Sequence, residues 1–244
     1  VCKLLNVKVV TRSNSSPTGW TQNSFKNFIF KKIFSKADKI IVNSLEFQKE
    51  FEKKFNVKTI CIYNPLNKKE ILSKSKNNIN LSFFKKNNKL KILNIGRFTD
   101  QKDHLTLLRS AKILKDKYNL NFILLIMGRG PNKKKIQIFI TKNNLSENVK
   151  VIGFKKNPYK YIKHCNLFVL SSSFEGLPNV LLEAITLKKF VISSDCPTGP
   201  NEILNHGKGG LLFKTGNSND LAKKIYYYYN NTKLLDKKIH FAYK

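Results

Sequence analysis

The sequence has few acidic residues for its size. Its 244 residues include 46 Lys and Arg but only 15 Asp and Glu, which gives a formal net charge of +31 at pH 7. The excess is mostly Lys scattered through every segment, and we interpret it as a compositional bias. A surface for nucleic acid or for an anionic membrane is the alternative interpretation. Basic residues and exposed aromatic residues do not alternate in a recognisable nucleic-acid-binding module, so we predict no nucleic-acid partner.

Patterns that bind metals or form disulfides are also missing. The cysteines are dispersed, without a CxxC pair, at Cys2, Cys61, Cys165 and Cys196. The histidines are equally isolated, at His104, His164, His206 and His240. We therefore predict reduced, mostly structural thiols and no metal site. The sequence contains no Ser-His-Asp set or Cys-His pair, so covalent catalysis by those nucleophiles has no support.

Long apolar runs are absent from the sequence. No segment approaches the roughly 20 apolar residues of a membrane-spanning helix, and no signal peptide is visible. We expect a cytoplasmic protein. The hydrophobic fraction of 41% is ordinary, and the length is sufficient for one large or two small domains. Because the chain opens with Val1 in the middle of a pattern, we expect a fragment of a longer protein.

Residues 1–66 combine short strands with two helices. Strands are predicted at 7–11, 39–42 and 59–63, and a basic, aromatic helix at 24–36. Ser44 can cap a second helix, in which Phe47, Phe51 and Phe55 repeat every four residues and therefore share one face. Residues 67–89 are rich in Lys, Asn and Ser and are interpreted as a linker.

From residue 91 onward, apolar strands alternate with amphipathic helices. Strands are predicted at 91–95, 122–127, 149–153, 167–170, 190–194 and 210–213. Helices are predicted at 103–117, 132–143, 157–165, 178–188, 200–205 and 218–230. This alternation predicts an α/β fold with a doubly wound parallel sheet. Ligands of such sheets bind beyond the carboxyl ends of the strands, where the loops beginning at Gly96, Gly128 and Ser171 are expected.

Two glutamates eight positions apart form the most informative motif. Glu175 is predicted in a loop after a strand, and Glu183 one to two turns inside the helix that starts near Pro178. Carboxylates beside free backbone N–H groups suit a ligand that carries both phosphate and hydroxyl groups. Two glutamates at this spacing are also common on solvated helix faces, so the surrounding residues decide the interpretation.

Those surroundings contain two further motifs. Phe174-Glu-Gly-Leu-Pro178 precedes Glu183, and Ile95-Gly-Arg-Phe-Thr-Asp-Gln-Lys102 lies upstream. Together they resemble the retaining glycosyltransferases of family 4, which have the two-domain GT-B fold. The resemblance covers about residues 91–230 and, more loosely, 1–66. It implies that 1–66 is the end of an acceptor domain, 67–89 a linker, 90–230 a Rossmann-like nucleotide-sugar domain and 231–244 a C-terminal helix.

The resemblance also implies which residues contact the donor diphosphate and sugar. Arg97 and Lys102, in the loop that Gly96 opens, would neutralise the diphosphate without a metal ion, which agrees with the lack of an Asp-x-Asp motif. Glu175 would contact the donor sugar, and the backbone of Gly176 and Leu177 the phosphate and sugar. Catalysis would depend on Glu175, Arg97 and Lys102.

The remaining donor contacts implied by the resemblance hold the nucleoside. Glu183 would accept hydrogen bonds from the ribose, and the loops at Gly128 and at Gly153-Phe154-Lys155 would hold the base. Family members often have an acidic residue where this chain has Arg129, which leaves the base open. The segment Asp195–Glu202 is interpreted as a structural turn, and no chemistry is assigned to Glu202.

The resemblance implies a glycosyltransferase that uses a nucleotide-sugar donor, first of all a UDP-sugar, with no further cofactor. The acceptor would be a glycan or a lipid-linked glycan of the cell envelope. The basic helix at 24–36 either contacts an anionic membrane at the cytoplasmic face or packs into a missing half-domain. A sugar-nucleotide epimerase, a phosphorylase, and a basic RNA- or membrane-binding protein are the alternatives. We expect the 244-residue chain to be inactive alone.

Overall fold

The computed structural model describes residues 7–19, 21, 23–78, 84 and 88–243. These residues form two parallel sheets, one of three strands and one of six, with helices packed against them. This arrangement confirms the predicted α/β fold with a doubly wound parallel sheet. Cys2 lies outside the described residues, while Cys61, Cys165 and Cys196 are free thiols.

The smaller sheet has the order β1-β2-β3. Its elements are β1 (Val10–Arg12), α1 (Ser24–Phe34), β2 (Lys39–Val42), α2 (Leu45–Phe55) and β3 (Ile60–Cys61). The two outer strands are shorter than the predicted 7–11 and 59–63, because pairing with β2 begins only at Val10 in β1 and covers only Ile60 and Cys61 in β3.

The core of this smaller unit comes from α2. Phe47, Phe51 and Phe55 are fully buried on one helix face, as their spacing predicts. Phe34 of α1 packs its ring against Phe51 and Phe55. Ser44 caps α2, since its side chain accepts a hydrogen bond from the Phe47 N–H at 3.2 Å.

A helix, α3 (Lys68–Ser75), lies inside the segment that the composition predicts to be a linker. Asn67 caps it by accepting from the Glu70 N–H, and Glu70 pairs with Lys74 one turn later. Ile71 is buried in the core of the larger sheet, where α3 contacts the helices at Tyr159–His164 and Asn179–Thr186. A single buried apolar position among Lys, Asn and Ser does not produce the repeating apolar pattern of a helix. The sequence of this segment therefore does not predict α3.

The larger sheet has the order β6-β5-β4-β7-β8-β9, and all of its pairs are parallel. Its strands are β4 (Leu90–Ile95), β5 (Phe122–Met127), β6 (Val149–Ile152), β7 (Leu167–Leu170), β8 (Phe190–Ser194) and β9 (Leu211–Phe213). The helices are α4 (His104–Asp116), α5 (Lys133–Lys142), α6 (Tyr159–His164), α7 (Asn179–Thr186), α8 (Pro200–Ile203), α9 (Ser218–Asn230) and α10 (Thr232–Tyr243).

Apolar clusters cover both faces of the larger sheet. On one face α4 buries Leu107, Leu108, Ala111 and Leu114, and its N-terminus is capped by Asp103, which accepts from the Thr106 N–H at 3.1 Å. In the part of the chain that the structure describes, none of the helices has the length and apolar character needed to cross a bilayer.

Candidate functional site

The order of the larger sheet creates a crevice between β4 and β7. Successive strands add outward from β4 in one direction and from β7 in the other, so the loops that follow these two strands diverge. Parallel α/β sheets bind ligands at such a point because loop backbone and helix N-termini face an open space there. The loops at 96–102 and 171–178 both leave the sheet at this crevice.

Close backbone packing shapes the first side of the crevice. A Cβ atom at Gly128 would lie 1.9 Å from the carbonyl oxygen of Gly96, so only glycine fits at position 128. The three heavy atoms nearest to a Cβ added at Gly96 all belong to the side chain of Lys102, and the first of them lies at 3.3 Å. The close approach between these two loops is therefore made at Gly128, against the carbonyl of Gly96.

A cavity of about 300 Å³ opens beside these two glycines. It lies between the loops that follow β4, β5 and β6. Its lining consists of Ile95, Gly96, Arg97, Met127, Gly128, Arg129, Phe154, Lys155 and Pro158. The charged side chains of this lining are all cationic, so the cavity presents hydrogen-bond donors over an apolar floor.

Arg129 and Phe154 face each other at the mouth of the cavity. The guanidinium carbon of Arg129 lies 5.2 Å from the centre of the Phe154 ring, within the range of a cation–π contact. Phe154 is 59% exposed and Arg129 is also exposed. The pair therefore offers two flat, accessible surfaces on which a planar ring could stack.

On the other side of the crevice, Lys102 and Glu175 form a salt bridge. The Lys102 Nζ donates to Glu175 Oε1, and both side chains are mostly buried. Ser172 also donates to Oε1, at 2.6 Å. Among the residues that the structure describes, both contacts use the same carboxylate oxygen, so Oε2 has the capacity to accept from a ligand.

The main chain of Glu175 is held from two directions. Its N–H donates to the Pro197 carbonyl at 3.2 Å, and its carbonyl accepts from the Thr198 hydroxyl at 2.8 Å. The same carbonyl accepts from the Ser16 N–H of the smaller unit at 2.6 Å. Next to it, Gly176 forms a β-bridge with Ser15, and a Cβ at Gly176 would lie 2.3 Å from the Asn14 carbonyl oxygen. The smaller unit therefore contacts this loop directly.

Glu183 lies in the second turn of α7, as predicted, in a different environment. Burial raises the pKa of its carboxyl from 4.5 to about 7. The charge of Glu183 in turn contributes to raising the pKa of Tyr159, so these two side chains are near neighbours. The pKa of the Glu183 carboxyl therefore lies close to neutral pH. Pro178, expected in the first turn of α7, instead precedes it as the N-cap residue.

The crevice brings most of the predicted site residues together. Gly96, Arg97, Gly128 and Phe154 line the cavity, and Lys102 contacts Glu175 beside it. Arg97 is exposed, and its Nη2 donates to Gln101 at 3.3 Å. Three further sets of predicted residues are not part of the cavity lining: Gly153; Gly176 with Leu177; and Glu183.

Several contact residues were not predicted. Ser172 precedes Glu175 by three positions, and a Ser-rich turn before a carboxylate is a signal that could have identified it. Ser16 has no such signal, because its contact with Glu175 depends on how the two units pack. Pro158 lines the cavity at the start of α6. Its contribution depends on the path of the β6–α6 loop, which no local sequence pattern specifies.

Residues 75–244 match the family model described as glycosyl transferases group 1. The chain is 38% identical to an uncharacterized glycosyltransferase of Methanocaldococcus jannaschii, over 86% of this chain and 59% of that protein. It is also 30% identical to a Campylobacter jejuni enzyme, N-acetylgalactosamine-N,N'-diacetylbacillosaminyl-diphospho-undecaprenol 4-alpha-N-acetylgalactosaminyltransferase. That match covers 97% of this chain and 62% of the enzyme. The chain thus spans about 60% of the length of these relatives.

Solved structures show the same fold at low identity. Anabaena HepE in complex with UDP-glucose superposes with a TM-score of 0.83 at 20% identity, over 99% of this chain and 68% of that one. Staphylococcus aureus TarM, in a complex that contains UDP, has a TM-score of 0.80 at 22% identity over 98% and 47%. These neighbours share the GT-B fold with this chain. The family model, which covers more than half of the chain, shows that the chain belongs to the glycosyl transferases group 1 family.

Proposed function

We propose that this chain is the donor-binding part of a retaining, family 4 glycosyltransferase that transfers a hexose or hexosamine from UDP-sugar. The observation that supports it most directly is the crevice between β4 and β7, where the cationic cavity adjoins the Lys102–Glu175 pair. A nucleoside diphosphate sugar needs a base pocket, cations for the diphosphate and acceptors for sugar hydroxyls. The crevice combines a cavity, cationic side chains and a carboxylate, and these groups suit the three tasks.

The chemistry of the lining favours uracil as the base. The side chains of Arg129 and Lys155 can only donate hydrogen bonds, and the described residues that line the cavity include no carboxylate. Guanine presents an N2 amino donor, and adenine and cytosine each present an amino donor as well. Uracil presents two carbonyl acceptors and one N–H, so it matches this lining better than the other bases. The solved neighbours that contain UDP are consistent with this choice.

Arg97 and Lys102 would bind the diphosphate in place of a metal ion. Both lie in the loop after β4, one at the cavity and one paired with Glu175. As the bond from the sugar C1 to the phosphate oxygen breaks, negative charge grows on the leaving group, and these cations stabilise it. The acceptor oxygen bonds to C1 from the same face, and its proton passes to the leaving phosphate. Glu175 Oε2 would meanwhile hold a sugar hydroxyl.

We further propose a glycan or lipid-linked acceptor used at the cytoplasmic face of a membrane. The Campylobacter relative is named for an undecaprenol-linked substrate. On α1, Phe25 and Phe28 are 69% and 63% exposed, close to Lys31 and Lys32. A helix that exposes aromatic and basic side chains together suits contact with an anionic lipid surface.

Titration calorimetry with UDP, GDP, ADP and CDP, in the presence of a chelator, tests the donor assignment. We expect UDP to bind most tightly and without a divalent ion. Arg97→Ala should weaken UDP binding by about tenfold or more, since hydrogen bonds to charged groups are worth about 1.5–3 kcal/mol. Arg109→Ala is the matched control, because Arg109 is an exposed arginine on α4 outside the cavity lining. Tighter binding of another base, or a requirement for a metal ion, would refute the assignment.

A further inference from the structure

Glu202, for which the sequence analysis predicts no chemical role, forms hydrogen bonds between the two units of the molecule. It lies on α8, yet its carboxylate accepts hydrogen bonds from the backbone N–H of Leu45 at 3.1 Å and of Glu46 at 2.9 Å. These are the first two residues of α2, in the smaller unit. The Tyr63 hydroxyl donates to the same carboxylate at 2.6 Å. Together with Ser44, which accepts from Phe47, Glu202 satisfies the N–H groups of the first three residues of α2.

The contact is reciprocal. Glu46 Oε2 accepts from the Gly199 N–H at 3.1 Å, and Gly199 is the N-cap residue of α8. Each of the two helices thus has its N-terminus capped by a carboxylate of the other, where the helix dipole favours negative charge. Burial raises the pKa of the Glu46 carboxyl, while its hydrogen bond from Gly199 acts in the opposite direction.

One turn further along, α2 holds the segment that binds the Glu175 loop. Both carboxylate oxygens of Glu50 accept from the Ser16 hydroxyl, at 2.9 and 2.7 Å, and Glu50 also accepts from the Thr18 N–H. The Ser16 N–H in turn donates to the Glu175 carbonyl. A continuous series of hydrogen bonds therefore runs from Glu202 through α2 and Ser16 to Glu175.

We infer that Glu202 is a positioning residue, which by capping α2 across the boundary between the units fixes Ser16 and hence Glu175. This role rests on the proposed function, because Glu175 matters for catalysis only as the contact to the donor sugar. A shift of the Glu175 main chain would change the direction of Oε2 without removing any group that touches the nucleotide. Loss of Glu202 should therefore lower turnover more than nucleotide affinity.

Hydrogen exchange at single amides tests the structural part of the inference. In Glu202→Gln we expect the amides of Leu45, Glu46 and Ser16 to exchange about tenfold faster than in the parent, since weaker charged hydrogen bonds permit local opening. Ser16 is the decisive amide because Glu202 does not touch it. Asp220→Asn is the matched control: Asp220 also accepts from a backbone N–H, that of Lys214, but within the larger unit. Unchanged exchange at Ser16, or equal acceleration in the control, would overturn the inference.

Two additional measurements keep the test decisive. If Glu202→Gln does not fold, Tyr63→Phe removes one of the same hydrogen bonds and should accelerate Ser16 exchange about threefold. For sugar transfer by the complete natural protein, Glu202→Gln should lower kcat about tenfold while the Kd for UDP stays within about twofold of the parent. A fall in UDP affinity as large as the fall in kcat would contradict positioning. Failure of the proposed function would appear differently, as a parent chain that binds no nucleoside diphosphate.

Discussion

At the scale of single residues, Glu175 and Glu183 are close in sequence and differ in what surrounds them. Glu175 is paired with Lys102 and held by Ser172, so its charge is compensated inside the protein. Burial raises the pKa of the Glu183 carboxyl, and no cationic partner is among the causes of this shift. The Glu175 carboxylate is therefore paired and oriented before a ligand arrives, whereas burial disfavours the charged form of Glu183.

This difference predicts separate effects of two matched substitutions. Glu183→Gln should weaken UDP and UDP-sugar alike, because both contain the ribose. Glu175→Gln should not weaken free UDP, since Lys102 then loses its anionic partner and is available to phosphate. It should still reduce turnover by about 10²–10³-fold, the range for one oriented polar contact used in the transition state. Calorimetry with UDP and a transfer assay in the complete protein measure the two effects. Equal loss of UDP affinity in both variants would contradict the division of roles.

The raised pKa of Glu183 predicts a pH dependence of nucleotide binding. The ribose hydroxyls would donate to the ionised carboxylate, but near pH 6 the free protein holds this carboxyl largely protonated. UDP affinity should therefore rise as the pH increases through about 7, because less work is needed to remove the proton. The phosphate itself ionises near pH 6, so Glu183→Gln is the control that shows this shared contribution alone. A parent-to-variant affinity ratio that is constant between pH 6 and 8 would exclude the ribose contact.

At the scale of helices and strands, α2 combines two roles. Its buried face supplies the core of the smaller unit through Phe47, Phe51 and Phe55. Its N-terminus and its exposed face carry the contacts to Glu202, Gly199 and Ser16. The same helix thus stabilises one unit and connects it to the other.

Two phenylalanine substitutions separate buried from exposed positions in this unit. Phe51→Ala should lower the free energy of unfolding by about 3–5 kcal/mol, because the side chain is fully buried among aromatic rings. Phe25→Ala, on the exposed face of α1, should change it by about 0.5 kcal/mol or less. Denaturant titration measures both. A similar loss for the two variants would mean that α1 is as tightly packed as α2.

The elements differ in how well sequence alone predicts them. The strands and helices from β4 to α9 have strong apolar periods and were predicted to within a few residues. In contrast, α3 was missed because its burial depends on a single residue, Ile71, that packs against helices distant in sequence. The ends of β1 and β3 were misplaced because they depend on how far each strand pairs with β2.

For the whole molecule, the residue types of the site were predictable and their arrangement was not. The glycine-rich and Glu-containing loops identified the ends of β4, β5 and β7 as the binding region. The Lys102–Glu175 pair requires β4 and β7 to be neighbours, which no local pattern specifies. The contact from Ser16 and the caps exchanged by Glu46 and Glu202 require the two units to be packed together, and they were not predicted for that reason.

The neighbouring position of β4 and β7 also has a consequence for how the chain folds. Ile92 of β4 pairs with Leu167 of β7, so the chain between these residues must form a closed loop before the pairing is stable. Non-local parallel pairing of this kind is slow, because loop-closure entropy is lost before the contacts compensate for it. A newly made chain can therefore complete β4-α4-β5-α5-β6 early and still lack the crevice. The proposed donor site would therefore form only after β7 has paired with β4, and a chain that lacks this pairing should not bind the nucleotide.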